Sequence, residues 1–243
     1  LPEAMLLRGQ TLLLEGKIAE GVEYLESVKP ELPAEMRGRA TVLQLYGLVQ
    51  DSGTEDSRQK ALEIVVREYP NIGDLTQIIA FQVLTLQLGA EFLEEGEPRR
   101  AIQCLQRVWD SDRLLKHQEK RVEALQARAR ALEANPHADP YEKLQAAQMI
   151  AKVEREKETF AQINEFDAAL RMRLASAYQQ MGRFRESALV LEDILDRMEP
   201  GPVVENASIS LVQNWNQLER WDRAVPAADN FSEKFPDSKQ LPL

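Results

Sequence analysis

The sequence predicts an all-α protein assembled from antiparallel helix pairs, and three observations carry that expectation. The first is composition: Leu, Ala, Glu, Gln and Arg crowd a chain of 243 residues in which aromatic side chains make up only 6%. The abundant types are strong helix formers, and the β-branched and aromatic strand formers are sparse. The second is periodicity, because between scattered prolines the apolar residues recur every three or four positions and no segment alternates with period two long enough to be a strand. The third is a set of residue types that returns at fixed offsets from four turn positions.

The elements follow in order from this punctuation, and about eleven or twelve helices are expected. Gly16 ends a first helix, and Pro30 and Pro33 close its partner. A second pair, near 38–72, turns at Ser52-Gly53 and stops at Pro70. The most apolar stretch runs from Ile78 to Leu93 and overlaps a third unit, near 82–111. Gln82, Gln87 and Glu91 interrupt that run, and it is too short to span a membrane. Gly96 turns this unit, and Pro98 suits the first turn of the next helix. Two longer helices, near 112–134 and 140–160, are joined by Asn135-Pro136-His137-Ala138-Asp139. Asp139, Pro140 and Glu142 make a sharp start signal of cap, first-turn proline and acid. Leu115, Val122, Leu125, Ala129 and Leu132 form a coiled-coil-like seam, which fits a lengthened repeat or a projecting hairpin equally. A unit near 168–202 turns at Gly182 and a last one near 205–238 turns at Glu219, with Pro226 expected in a first turn.

The offsets are counted from Gly16, Gly96, Gly182 and Glu219. Seven positions before stand Gly9, Gly89, Ala175 and Val212; four before stand the large Leu12, Phe92, Tyr178 and Trp215. Five after stand the small Gly21, Ala101, Ser187 and Ala224; nine after stand Leu25, Leu105, Leu191 and Ala228. Two helices joined by a tight turn pack closely only where a small residue meets a large one, which explains why these types recur. Glycine at the anchor ends the first helix in a left-handed conformation.

These offsets resemble the tetratricopeptide repeat, with Leu-Gly-x-x-Tyr, then Gly, then Ala-x-x-x-Phe, then Pro. Leu88-Gly89, Phe92, Gly96, Ala101 and Leu105 match closely, as do Leu174-Ala175, Tyr178, Gly182, Phe184 and Leu191. Lys234-Phe235-Pro236-Asp237-Ser238 looks like bacterial members of the family in the cell envelope. The likeness covers four clear units, with a weaker one from Arg39 to Pro70. It implies a right-handed solenoid of about six antiparallel helix pairs with a lengthened hairpin near 112–160, whose first helices line a concave groove. No closing helix follows Phe235-Pro236 before Leu243, so the expectation is a truncated array or one closed by self-association.

The implied function is non-catalytic: a scaffold that holds a peptide segment or partner protein in the groove. Groove positions expected in the last two units are Ala169, Met172, Ser176, Gln179 and Gln180, then Asn206, Ile209, Gln213, Asn216 and Gln217. A carboxamide donates and accepts at once, so it suits the backbone of an extended peptide. Ala169 and Met172 stand where the family's carboxylate clamp would need basic residues, which speaks against such a clamp. Two alternatives share the fold: a bacterial envelope assembly or transport factor, and the repeat portion of a larger enzyme or regulator.

Composition narrows the classes further. Thirty Lys and Arg oppose forty Asp and Glu, a net charge of −10, and 44% of residues are apolar. This disfavours a collagen-like chain, a disulfide scaffold, a β-sandwich and a DNA-coating basic protein. From Arg113 to Arg130 six cations meet only Glu119 and Glu123, a local +4 suited to an acidic partner. Stacking aromatics are missing there, so nucleic acid is not expected. The one cysteine, Cys104, reads as a structural thiol and leaves cytoplasm and periplasm equally open. His117 and His137 have no third ligand at metal spacing, and no catalytic motif or Gly-rich phosphate loop is present, so neither metal nor cofactor is expected. Asn206-Ala207-Ser208 and Asn230-Phe231-Ser232 match glycosylation acceptors but fall within expected helices.

Overall fold

The computed structural model describes residues 2–75, 77–163 and 165–240. Among them are twelve α-helices and no strand: α1 (Pro2–Leu14), α2 (Ile18–Val28), α3 (Ala34–Gln50), α4 (Glu55–Glu68), α5 (Ile78–Glu94), α6 (Pro98–Leu105), α7 (Ser111–Ala134), α8 (Pro140–Ala161), α9 (Phe166–Gln180), α10 (Phe184–Arg197), α11 (Pro202–Gln217) and α12 (Trp221–Lys234). Two 3-10 turns, Lys29–Glu31 and Tyr69–Asp74, carry the prolines that stop α2 and α4. The expectation that the chain ends without a closing helix rests partly on residues 241–243, which lie outside the described residues.

Neighbouring helices pack in pairs: α1 on α2, α3 on α4, α5 on α6, α7 on α8, α9 on α10, and α11 on α12. The four anchor positions are the chain's described residues with positive φ: Gly16 at 77°, Gly96 at 74°, Gly182 at 70° and Glu219 at 53°. At each, the following N–H reaches back to the carbonyl of the large residue four before the anchor. Lys17 bonds Leu12 at 3.0 Å, Glu97 bonds Phe92 at 2.7 Å, Arg183 bonds Tyr178 at 2.8 Å and Arg220 bonds Trp215 at 2.9 Å. This is the Schellman closure, which satisfies a helix-end carbonyl only if the anchor is left-handed. A Cβ strains that conformation by about 1 kcal/mol or more, and only Glu219 carries one. Glu219→Gly should therefore raise stability by about 0.5–1 kcal/mol, read as a higher melting temperature. An unchanged or lower midpoint would contradict the closure as its cause.

The small and large offsets meet as packing requires. A Cβ on Gly89 would stand 2.6 Å from Leu105 Cδ2, and one on Gly9 would run into the methyl of Leu25, so the two leucines fill equivalent notches. Ala101, Ser187 and Ala224 are buried at the opposite junction. The first pair departs by one residue: Leu13, not Leu12, is buried, and it keys into both Gly21 and Gly47. The second pair lacks a left-handed turn, and Thr54 caps α4 by accepting the Ser57 N–H at 3.2 Å. Pro226 lies in the second turn of α12, one turn deeper than the sequence suggests. Three buried clusters follow the chain, over α1–α3, α3–α9 and α9–α12, with α9 contributing to the last two.

The long helices stand apart from this succession. α6 packs directly on α9, and α5 also touches α9, so the pairing of α5–α6 with α9–α10 bypasses the hairpin of α7 and α8. Asp110 caps α7 through the Arg113 N–H at 2.9 Å, and Asp139 caps α8 through the Tyr141 N–H at 2.8 Å. The start of α7 is tied to the start of α9 where Ser111 donates its N–H to Asp167 Oδ1 at 2.8 Å. Leu114 and Phe160 anchor it in the central cluster, and Phe160 meets Phe166 edge-on at 5.1 Å. From there it reaches back along the N-terminal helices. Leu125, Arg128, Ala146 and Met149 share a cavity of about 310 Å³ with Glu3 of α1 and Glu35 and Met36 of α3. Half-buried Arg121 lies in the field of both Glu156 and Glu35, and its burial pulls its pKa down.

Candidate functional site

α5 explains where an opening arises. It is apolar nearly all round, and its core face buries Ile78, Phe81, Leu88 and Phe92. A helix apolar on every side is normally enclosed, yet Ala80 and Val83 of α5 are exposed, and with half-buried Ile79 they border two adjoining cavities. One, of about 480 Å³, lies over α1, α3 and α5, with Leu14, Leu43, Tyr46, Ala80 and Val83 among its walls. The other, of about 560 Å³, lies between α5 and α8, with Ile79, Phe160 and Ile163 among its walls. Gln77 and Ala80 line both, so the two lie side by side, and together they are the trough. Leu14 is 71% exposed, Tyr46 41% and Val83 37%, values unusual for side chains of this size in one patch.

Among the described residues, charge enters this trough only from the α8 wall, at Lys152, Arg155 and Glu156. Lys152 approaches Glu156 at 3.9 Å, a loose and exposed pairing. Glu156 is half-buried, and burial lifts its carboxyl above the usual range against the opposing pull of Lys152 and Arg121.

The residues expected from the sequence to form a groove lie on α9 and α11, away from this trough. Ala169 packs against the central cluster and Met172 against the C-terminal one. Gln179 Nε2 donates to Asn214 Oδ1 at 2.8 Å, and Asn214 Nδ2 donates to Ser187 Oγ at 2.8 Å, so that carboxamide serves an internal chain. Ser176 and Ile209 are half-buried; Gln180, Asn206, Gln213, Asn216 and Gln217 are exposed. Gln180 borders a separate depression beside Gly96–Arg100. The trough residues were missed because periodicity does not distinguish an apolar side chain that a neighbouring helix covers from one that is left open. The available signal was the apolar run Ile78–Leu93, with more apolar positions than one buried face needs.

The remaining reactive groups are quiet. Cys104 is buried, and that burial pushes its thiol up to about 12. A thiol-selective alkylating agent at pH 8 would find about one thiolate in ten thousand. The folded protein should therefore resist labelling and the denatured protein label fully; rapid labelling of the folded protein would contradict this burial. His117 stacks edge-on to Trp109 at 5.6 Å, and burial lowers its pKa, with Arg121 adding to the effect. Among the described residues no three His, Cys, Asp or Glu side chains are placed to hold a metal ion, and no helix is long and apolar enough to cross a membrane. No model of a known protein family matches the chain, and no curated protein sequence matches it significantly.

Proposed function

We propose that this chain is a non-catalytic protein-interaction scaffold, a right-handed solenoid of helix pairs resembling the tetratricopeptide repeat, which holds a segment of a partner protein on its concave face. The observation that carries the reading is the open apolar trough over α1, α3 and α5, where Leu14, Tyr46 and Val83 stand exposed side by side. Apolar side chains gathered on a free surface gain about 25 cal/mol for each Å² that a partner covers, and grooves of this kind accept helical or extended segments. Substitution separates this trough from the carboxamide face. Tyr46→Asp with Val83→Asp should abolish capture of partners that the parent protein retains. Asn206→Ala, Gln213→Ala and Asn216→Ala together should leave those partners bound. Capture that survives the first pair and fails with the second set would move the site to α11.

A further inference from the structure

We infer that the trough's occupant is an amphipathic segment of a partner protein, whose apolar side chains rest on α1, α3 and α5 and whose acidic side chains meet Lys152 and Arg155 of the α7–α8 hairpin. This rests on the scaffold reading above and adds the chemistry of the partner.

Three observations select that chemistry. The ten residues around the α1–α3–α5 part of the trough include no charged side chain, and only Gln10 and Gln77 offer polar groups beyond the Tyr46 hydroxyl. A charge on the occupant would be desolvated there without a partner, so its charges must leave the floor toward α8. On that wall Arg155 is exposed and forms no ion pair with any described residue, and Lys152 holds Glu156 only at 3.9 Å. Glu156, in turn, is half-buried beside Arg121, so the side chains presented outward are cationic. The whole molecule points the same way. The two hairpin helices carry ten basic and eight acidic side chains, whereas the rest of the chain carries twenty and thirty-two. An acidic segment is repelled by most of this surface and is tolerated at the hairpin, which gives register as well as attraction.

The shape argues for a polypeptide. The trough is open along one side and spans four helices, α1, α3, α5 and α8. A small molecule there would stay largely solvated, whereas pockets for such ligands bury most of the ligand's surface. An amphipathic helix lays down anchors at successive turns, and the array of Leu14, Tyr46, Val83, Ile79 and Ile163 offers them separate seats.

The test uses the full chain and two fluorescent synthetic helical peptides of roughly eighteen residues, about five turns. Both carry the same Leu/Phe face; one is flanked by Glu, the other by Lys. In fluorescence anisotropy the Glu peptide should bind about fivefold tighter or better, and the gap should narrow at about 0.5 M salt. Lys152→Glu with Arg155→Glu should invert that preference. Val83→Asp, and independently Tyr46→Asp, should remove binding of both peptides while circular dichroism stays that of the parent. If the parent does not discriminate, or the double reversal leaves the preference intact, the acidic assignment is overturned while loss of binding in Val83→Asp keeps the trough. If neither peptide binds the parent, or binding survives both Asp substitutions, the trough reading itself falls.

Discussion

Leu105→Ala should cost this protein about 2–5 kcal/mol, the usual range for emptying a buried leucine site. Leu105 is wholly buried and fills the notch made by Gly89 on the facing helix of the same pair. Gly89→Ala alone should cost about 1–3 kcal/mol despite the better helix propensity of alanine. Its Cβ would stand 2.6 Å from Leu105 Cδ2 and 2.8 Å from Cγ, and Cys104 Cβ lies only 3.5 Å away. Leu105 is held in the central cluster with Ala101, Cys104 and Phe92, so turning away from a new methyl would disturb its packing there. The informative variant is the double. With Leu105 shortened, the new methyl enters vacated space and alanine's helix preference is felt, so Gly89→Ala should become neutral or stabilising by up to about 1 kcal/mol. That change is a coupling of about 1–4 kcal/mol, measurable by denaturant unfolding of the four proteins. Additive costs would show that the glycine is there for another reason.

The same interlock shows which parts of the structure were legible in the sequence. Gly89 and Leu105, sixteen positions apart, recur as Gly9 and Leu25, and both pairs meet in space. The turns were equally readable, because a left-handed residue and a Schellman closure have few solutions, and even the Glu219 exception lay at the expected offset. The hairpin was ambiguous for a physical reason. Val122 is buried as any paired helix requires, and the seam is the same whether the pair stacks between neighbours or leans out. Only the direct packing of α6 on α9 distinguishes them, and nothing local encodes it. The trough was the least legible. Exposure of Leu14, Tyr46 and Val83 depends on which helix faces are left without a neighbour, whereas the polar stretch on α11 drew attention by composition. Gln179 then spends its amide inside the molecule, on Asn214.

Replacing residues 112–163 with a short Gly-Ser linker should leave a folded protein that unfolds in one transition. The start of α7 already lies against the start of α9, since Ser111 bonds Asp167 across fifty-six positions, so a short connection can bridge the cut. The α6–α9 contact, through which the third and fifth units meet, does not pass through the hairpin. What is lost is the burial of Leu114 and Phe160 in the central cluster, with the edge contact of Phe160 on Phe166. At the usual cost of a buried leucine and a buried phenylalanine those terms sum to about 5–10 kcal/mol, and the melting temperature should fall by about 10–40 °C. A hairpin that acted instead as the fourth link of the stack would give a different result. Its removal would uncouple α9–α12 from α1–α6, and the two parts would melt separately, as neighbour-coupled units do when an interface is missing. Scanning calorimetry with far-ultraviolet dichroism separates the outcomes: one shared midpoint supports the bypass, and two midpoints refute it. The shortened protein should also keep the apolar floor over α1, α3 and α5 while losing Lys152 and Arg155, so peptide binding should persist there without a preference for acidic flanks.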